Sequence, residues 1–149
     1  MKEVIIYTDG ACSQNPGPGG WGCVLIYGEH EKELYGFEPD TTNNRMELRA
    51  AIEALRALKE PCKVLLYTDS AYLCNAINER WLVRWRANGW KTTNKNEVSN
   101  IDLWKELNAE MDKHSVEVLK VKGHADNQYN ILCDKLAKRG VSECKASNS

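Results

Sequence analysis

Val4-Ile5-Ile6-Tyr7-Thr8-Asp9-Gly10 is a short β-branched run that stops at a turn-forming Asp-Gly, and Val64-Leu65-Leu66-Tyr67-Thr68-Asp69-Ser70 repeats its ending. Each reads as a buried strand with an Asp where the strand stops. Between them Leu48, Ala51, Ile52, Leu55 and Leu58 recur at helical spacing, with Thr41, Thr42 and Asn43 available as caps and Pro61 closing the segment. A helix between two apolar strands implies a parallel crossover. Asp9 and Asp69 then emerge at one sheet edge, where open α/β sheets place their ligands. An Asp at a strand end is by itself an ordinary turn starter.

Working outward, Asn15-Pro16-Gly17-Pro18-Gly19-Gly20 lacks the Gly-Lys-Ser/Thr ending of a phosphate loop and reads as a shaped connection. Trp21 to Tyr27 and Glu33 to Phe37, parted by Gly28, read as a hairpin. Helices are expected from Ala71 to Ile77 and from Ile101 to Met111. A strand follows from Val116 to Val121, then a loop at Gly123-His124 and a last helix to about Val141. The fold class is therefore α/β: a five-stranded mixed sheet, three antiparallel strands and then parallel ones, flanked by helices. Residues 1–141 form a single domain, and the polar tail 142–149 is expected to fray.

A chain of 149 residues, 42% hydrophobic, can bury a real core as one domain. Its formal charge of −1 points to no nucleic-acid partner in bulk. The apolar run at the N-terminus is too short for a signal peptide, and no window approaches a membrane span. Six cysteines are scattered without paired metal-ligand spacing, so they read as reduced thiols of a cytoplasmic protein. Cys133 reads as a small buried hydrophobe, not a nucleophile. No feature demands more than a monomer.

Glu47 lies on the line Glu47, Ala51, Ala54, Leu58, bordering the apolar stripe of its helix. Asp134 lies similarly on Asn130, Asp134, Ala137, Val141. Alternatively, Glu47 is a helix-surface acid and Asp134 an exposed partner of Lys138 one turn later. If Asp9, Glu47, Asp69 and Asp134 converge to within about 5 Å, they repel one another unless their pKa values rise or cations bind. All-oxygen ligation suits Mg²⁺, with Mn²⁺ a plausible substitute, and not Zn²⁺. Two such ions can clamp the attacking water and leaving oxygen of a phosphoryl displacement.

Charge is concentrated locally. Between Arg80 and Asn96 stand Arg80, Arg84, Arg86, Lys91 and Lys95 without an acid, together with Trp81, Trp85 and Trp90. The basic side chains are candidates for a phosphate-facing surface, and the tryptophans for packing a short helix onto the body.

These residues carry a resemblance. Tyr-Thr-Asp-Gly at 7–10, Asn-Pro-Gly-Pro-Gly-Gly at 15–20, Thr-Thr-Asn-Asn-Arg-Met-Glu-Leu at 41–48, Thr-Asp-Ser at 68–70, Val-Lys-Gly-His at 121–124 and Cys-Asp-Lys-Leu-Ala at 133–137 resemble, in order, the type 1 ribonuclease H family of free-standing bacterial enzymes. The resemblance implies an endonuclease that cleaves the RNA strand of an RNA/DNA hybrid with two Mg²⁺ ions, leaving 5′-phosphate and 3′-hydroxyl ends. It implies that Asp9 bridges the ions, that Asp134 shares the ion activating the water, and that Glu47 and Asp69 hold the other. His124, otherwise a lone loop histidine, gains an assisting role. Asn15, Thr42, Asn43 and Asn44 become substrate contacts, though Asn15 could equally serve its turn and Asn43 cap its helix. Arg84, Arg86, Lys91, Trp81, Trp85 and Trp90 fall in a basic protrusion that grips the DNA strand. Ala71 and Ile131 depart from the Gln and Glu often found at their positions. Rival readings are a DNA strand-transfer domain with similar acidic ligation, a non-catalytic hybrid-binding module, and a domain excised from a reverse transcriptase.

Overall fold

The computed structural model describes residues 1–92, 98–121 and 127–147. Its strands are β1 (Lys2–Cys12), β2 (Gly17–Tyr27), β3 (His30–Thr41), β4 (Cys62–Thr68) and β5 (Ser115–Lys120). Its helices are α1 (Asn43–Arg56), α2 (Ala71–Asn78), α3 (Trp81–Ala87), α4 (Ile101–Met111) and α5 (Gln128–Ser147). The sheet runs β3-β2-β1-β4-β5, antiparallel from β3 to β1 and parallel from β1 to β5, as expected. Among the described residues no helix is long and apolar enough to cross a membrane.

The sequence echo is a spatial register. Tyr7 pairs with Tyr67 and Thr8 with Thr68, and the Thr8 hydroxyl donates to the Tyr67 carbonyl at 3.4 Å. Asp9 and Asp69 therefore follow matched positions of neighbouring parallel strands. One expectation is corrected: β1 does not turn at Asp9-Gly10 but continues to Cys12, pairing Asp9 with Gly22 and Cys12 with Gly19. The segment at Gly17 to Gly20 is likewise strand and not connection. Main-chain pairing with β2 carries β1 beyond the end of β4, so Asp9 sits on a paired strand.

Side-chain alternation divides the core. Ile6, Leu66, Leu48, Ile52, Leu55 and Trp104 pack on the face covered by α1 and α4. Tyr7, Val24, Cys133 and Leu136 pack on the opposite face beneath α5. Helix α1 starts where Thr42 Oγ1 accepts the Arg45 N–H at 3.2 Å. Beside it Asn15 Oδ1 accepts the Asn43 N–H at 3.0 Å, so Thr42 is the cap and Asn15 ties the Gly/Pro segment to the helix.

The tail expected to fray from residue 142 is instead helical to Ser147. Cys133, Leu136, Ala137, Gly140 and Cys144 form its buried line, and the Cys144 thiol donates to the Glu38 carbonyl at 3.5 Å. Glycine makes this seat possible. A Cβ on Gly20 would stand 2.2 Å from the Ala137 carbonyl oxygen, and one on Gly140 would stand 2.3 Å from that of Gly36.

Candidate active site

Asp9, Glu47 and Asp69 each present a carboxylate oxygen, and these atoms all lie within 4.8 Å of one another. Asp9 and Glu47 are buried, at 5% and 3% exposure, whereas Asp69 is open to solvent. The approach of α1 to β1 depends on Gly10: a Cβ there would stand 2.5 Å from the Glu47 nitrogen. That closeness lets the Gly10 N–H donate to Glu47 Oε1 at 3.0 Å. Glu47 Oε2 is buried and meets no donor among the described residues.

An acidic cluster without a cation must hold protons. Burial, then the charge of Asp69, pushes the Asp9 carboxyl up to about 7 against the pull of its Glu47 and Gly10 contacts. Burial, then Asp9 and Asp69, raises Glu47 well above the usual carboxylate range. The orphaned Oε2, the all-oxygen donor set and the open side at Asp69 fit a hard divalent cation.

Asp134 reaches the same pocket from α5. It lines a cavity of about 440 Å³ with Asp9, Glu47, Asp69, Asn43 and Asn44. It also pairs with Lys138 at 2.9 Å, its side chain 44% exposed. Both expectations for Asp134 therefore hold: it faces the site and it carries a surface ion pair. The geometry brings three acids into one cluster and sets the fourth in the cavity wall.

Ser70 of the Thr-Asp-Ser motif joins this wall, as does Tyr72, which the sequence did not mark. Ser70 Oγ caps α2 by accepting the Leu73 N–H at 3.1 Å. The Tyr72 hydroxyl accepts from Trp104 Nε1 at 2.9 Å and Asn100 Nδ2 at 3.1 Å. The only signal for Tyr72 was its place three residues after Asp69. Ala71 also lines the cavity, whereas Ile131 does not.

A second groove, of about 460 Å³, is lined by Trp81, Arg84, Trp85, Asn88, Lys91 and Thr92. Its tryptophans pack against the core while Arg84 and Lys91 stay exposed, so packing and a basic surface coexist. Trp90 lies tilted against Trp85 with ring centres 6.3 Å apart, and Arg86 points to Asp112 at 3.8 Å, away from the groove lining. Asn15, tied to Asn43, lies outside the cavity lining, as does Thr42. His124 and Lys95 lie outside the described residues.

Residues 1–142 match the RNase H family model. A ribonuclease H of Acetivibrio thermocellus is 64% identical over 137 residues, covering 92% of this chain and 93% of the relative. One of Moorella thermoacetica is 63% identical over 142 residues, covering 95% and 93%. Among solved structures, LC9-RNase H1, a type 1 RNase H with the type 2 active-site motif, superposes with a TM-score of 0.85 at 31% identity, covering 95% of this chain and 73% of that one. A foamy viral protease-reverse transcriptase in complex with RNA/DNA hybrid superposes at 0.82 with 25% identity, covering 95% and 20%.

Proposed function

The chain belongs to the ribonuclease H family, and from that premise we propose that it is a Mg²⁺-dependent endonuclease hydrolysing the RNA strand of RNA/DNA hybrids to 5′-phosphate and 3′-hydroxyl ends. The observation that carries this reading is the carboxylate cluster, with three acids within 4.8 Å and Asp134 across the cavity. The hybrid-bound structural relative supports the substrate class. Asp9, Glu47 and Asp69 would hold one ion, and Asp9 with Asp134 a second. Bound there, Mg²⁺ would supply activation of the attacking water and stabilisation of the leaving oxygen.

The chain's own groups prepare that site. The Gly10 N–H fixes the orientation of Glu47, leaving Oε2 as its free ligand atom. Protons retained by the raised Asp9 and Glu47 carboxyls must leave before both can act as ligands, so cation binding competes with protons. Lys138 pairs with Asp134 at 2.9 Å at the same cavity. Exposed Asn43 and Asn44 on the cavity wall are placed to read the 2′-hydroxyl in the minor groove, with Asn15 bracing their segment and Thr42 near a phosphate. The basic groove at Arg84 and Lys91 is the proposed grip on the DNA strand, with Arg86 as an outer charge and Trp81, Trp85 and Trp90 as its frame.

Labelled RNA/DNA hybrid, duplex RNA and duplex DNA, each with Mg²⁺ or chelator, test the reading. Cleavage confined to the RNA of the hybrid, and only with metal, is expected; cleavage of duplex DNA would point to a strand-transfer relative. Binding to the hybrid should weaken steeply with salt. Arg84→Ala and Lys91→Ala should each flatten the slope of log K against log salt by about one, without sequence preference. A flat response in the parent protein would remove the protrusion from the binding surface. His124 is proposed to assist water-side chemistry or product release, so His124→Ala should slow turnover without abolishing it. A loss as complete as that of Asp9→Asn would overturn this division of roles.

A further inference from the structure

Tyr67, Tyr7 and Tyr129 form one continuous aromatic stack between the sheet and α5. Tyr7 lies 4.9 Å from Tyr67 with planes 13° apart, and 5.1 Å from Tyr129 with planes 26° apart. Each ring stands on a different element, and each of those elements carries, or leads directly into, one acid of the site. Tyr7 precedes Asp9 by two residues on β1, and Tyr67 precedes Asp69 by two at the end of β4. Tyr129 precedes Asp134 by five on α5. Because strand side chains alternate, Tyr7 projects to the same face as Asp9, the face that α5 covers.

The position of Asp134 is set by how α5 sits on the sheet. The one ion pair shown for Asp134 is with Lys138, on the same helix, and cannot fix the helix to anything else. Beyond Asp134 the helix is seated by the contacts at Gly20, Gly22 and Gly140. Before it, Asn127 Oδ1 accepts the N–H groups of Tyr129 at 3.1 Å and Asn130 at 3.0 Å, and its side chain reaches the Tyr7 hydroxyl. The Tyr129 ring lies on Tyr7 while its hydroxyl donates to Glu31 Oε1 at 2.5 Å. Tyr129 is thus gripped at its face by β1 and at its tip by β3.

We propose that the three-tyrosine stack is a positioning device: it sets the distance of Asp134 from Asp9 and Asp69, and so tunes the cation position that Asp134 shares with Asp9. The inference rests on the metal reading proposed above. It predicts a selective defect, because Glu47 and Asp69 are held by contacts on the other side of the sheet and by β4, independently of α5. Stacked rings resist sliding where aliphatic contacts allow it, which suits a spacer between a strand and a helix.

Tyr129→Leu keeps apolar bulk and helix propensity but removes the ring; Tyr129→Phe keeps the ring and loses the Glu31 bond. Tyr129→Leu should raise the Mg²⁺ concentration for half-maximal hybrid cleavage about tenfold, with the hybrid KM at saturating Mg²⁺ unchanged. Tyr129→Phe should stay close to the parent. Carboxyl ¹³C resonances followed through a Mg²⁺ titration give a readout independent of activity: in Tyr129→Leu the Asp134 response should move to higher Mg²⁺ while those of Glu47 and Asp69 do not. Glu31→Gln, which weakens the bond at the ring's tip and leaves the stack, should stay close to the parent as Tyr129→Phe does; Tyr129→Met, which also removes the ring but keeps an adaptable apolar side chain, should shift the Asp134 response in the same direction and serves if Tyr129→Leu does not fold. A folded Tyr129→Leu with an unchanged Mg²⁺ midpoint and an unmoved Asp134 response overturns the inference, as does Tyr129→Phe matching Tyr129→Leu. A parent protein that cleaves no hybrid would remove the proposed function instead, and the Asp134 resonance would still decide whether the stack positions it.

Discussion

Asp9→Asn should abolish hybrid cleavage and, in the same protein, raise the stability of the metal-free fold. The substitution is nearly isosteric but removes the carboxylate that faces all three of its acidic neighbours. Loss of a ligand worth several kcal/mol of transition-state stabilisation corresponds to a fall in rate of roughly a thousandfold or more. The stability effect has the opposite sign. Burial and the charge of Asp69 hold the Asp9 carboxyl at about 7, above the ordinary 3.8 it has in the unfolded chain. Between those values the folded protein keeps a proton that the unfolded chain has released. Metal-free stability is therefore greatest at or below the unfolded value and declines as pH rises toward about 7. At pH 8 the decline is complete, and Asp9→Asn, which has no charge to bury, should be more stable than the parent by roughly 4 kcal/mol. Urea unfolding in chelator at pH 5 and pH 8 measures both slopes. Saturating Mg²⁺ should flatten the parent's decline, since the cation takes the place of the proton. A variant that loses activity yet shows the parent's pH slope would mean that Asp9 is not the group that holds the proton in the metal-free fold.

What could be read from the sequence was whatever side chains announce. The matching Tyr-Thr-Asp endings announced two strands in parallel register because side-chain type and spacing both repeat, and the structure pairs them residue for residue. Glu47 was legible because a helix converts its spacing from Leu48, Ala51 and Leu55 into a direction. What stayed illegible is carried by the main chain. Gly10 and the run Gly17 to Gly20 look like turn chemistry, yet both continue strands whose hydrogen bonds leave no mark in side-chain composition. The last helix was expected to end at about Val141, whereas Gly140 lies against Gly36 and the helix runs on past Cys144. The tyrosine stack was hidden for another reason: Tyr129 shares no local pattern with Tyr7, and only the packing of α5 brings them together.

The same glycine seat makes Gly20→Val the second large effect. A Cβ at Gly20 would lie 2.2 Å from the Ala137 carbonyl oxygen, 2.7 Å from the Val141 nitrogen and 3.0 Å from the Gly140 carbonyl carbon. All three are backbone atoms of one helix, so no rotamer change can relieve the clash; α5 must lift from β2 or β2 must bend. Overpacking of this kind costs about 3 kcal/mol. Lifting α5 also carries Asp134 away from Asp9, although residue 20 touches neither. Melting temperature should fall by roughly 8 °C and cleavage should be nearly lost, while the Mg²⁺ response of Glu47 and Asp69 survives in the fraction that remains folded. Gly28→Ala is the matched control, because a Cβ at Gly28 meets nothing within 4 Å. Its φ of 59° makes alanine strained there, so some stability is lost, but the site lies at the far end of the hairpin and cleavage per folded molecule should be unchanged. If Gly20→Val instead retained full activity at reduced stability, α5 could shift without moving Asp134, and the placement of the fourth carboxylate would depend on its own turn of helix and not on the sheet beneath it.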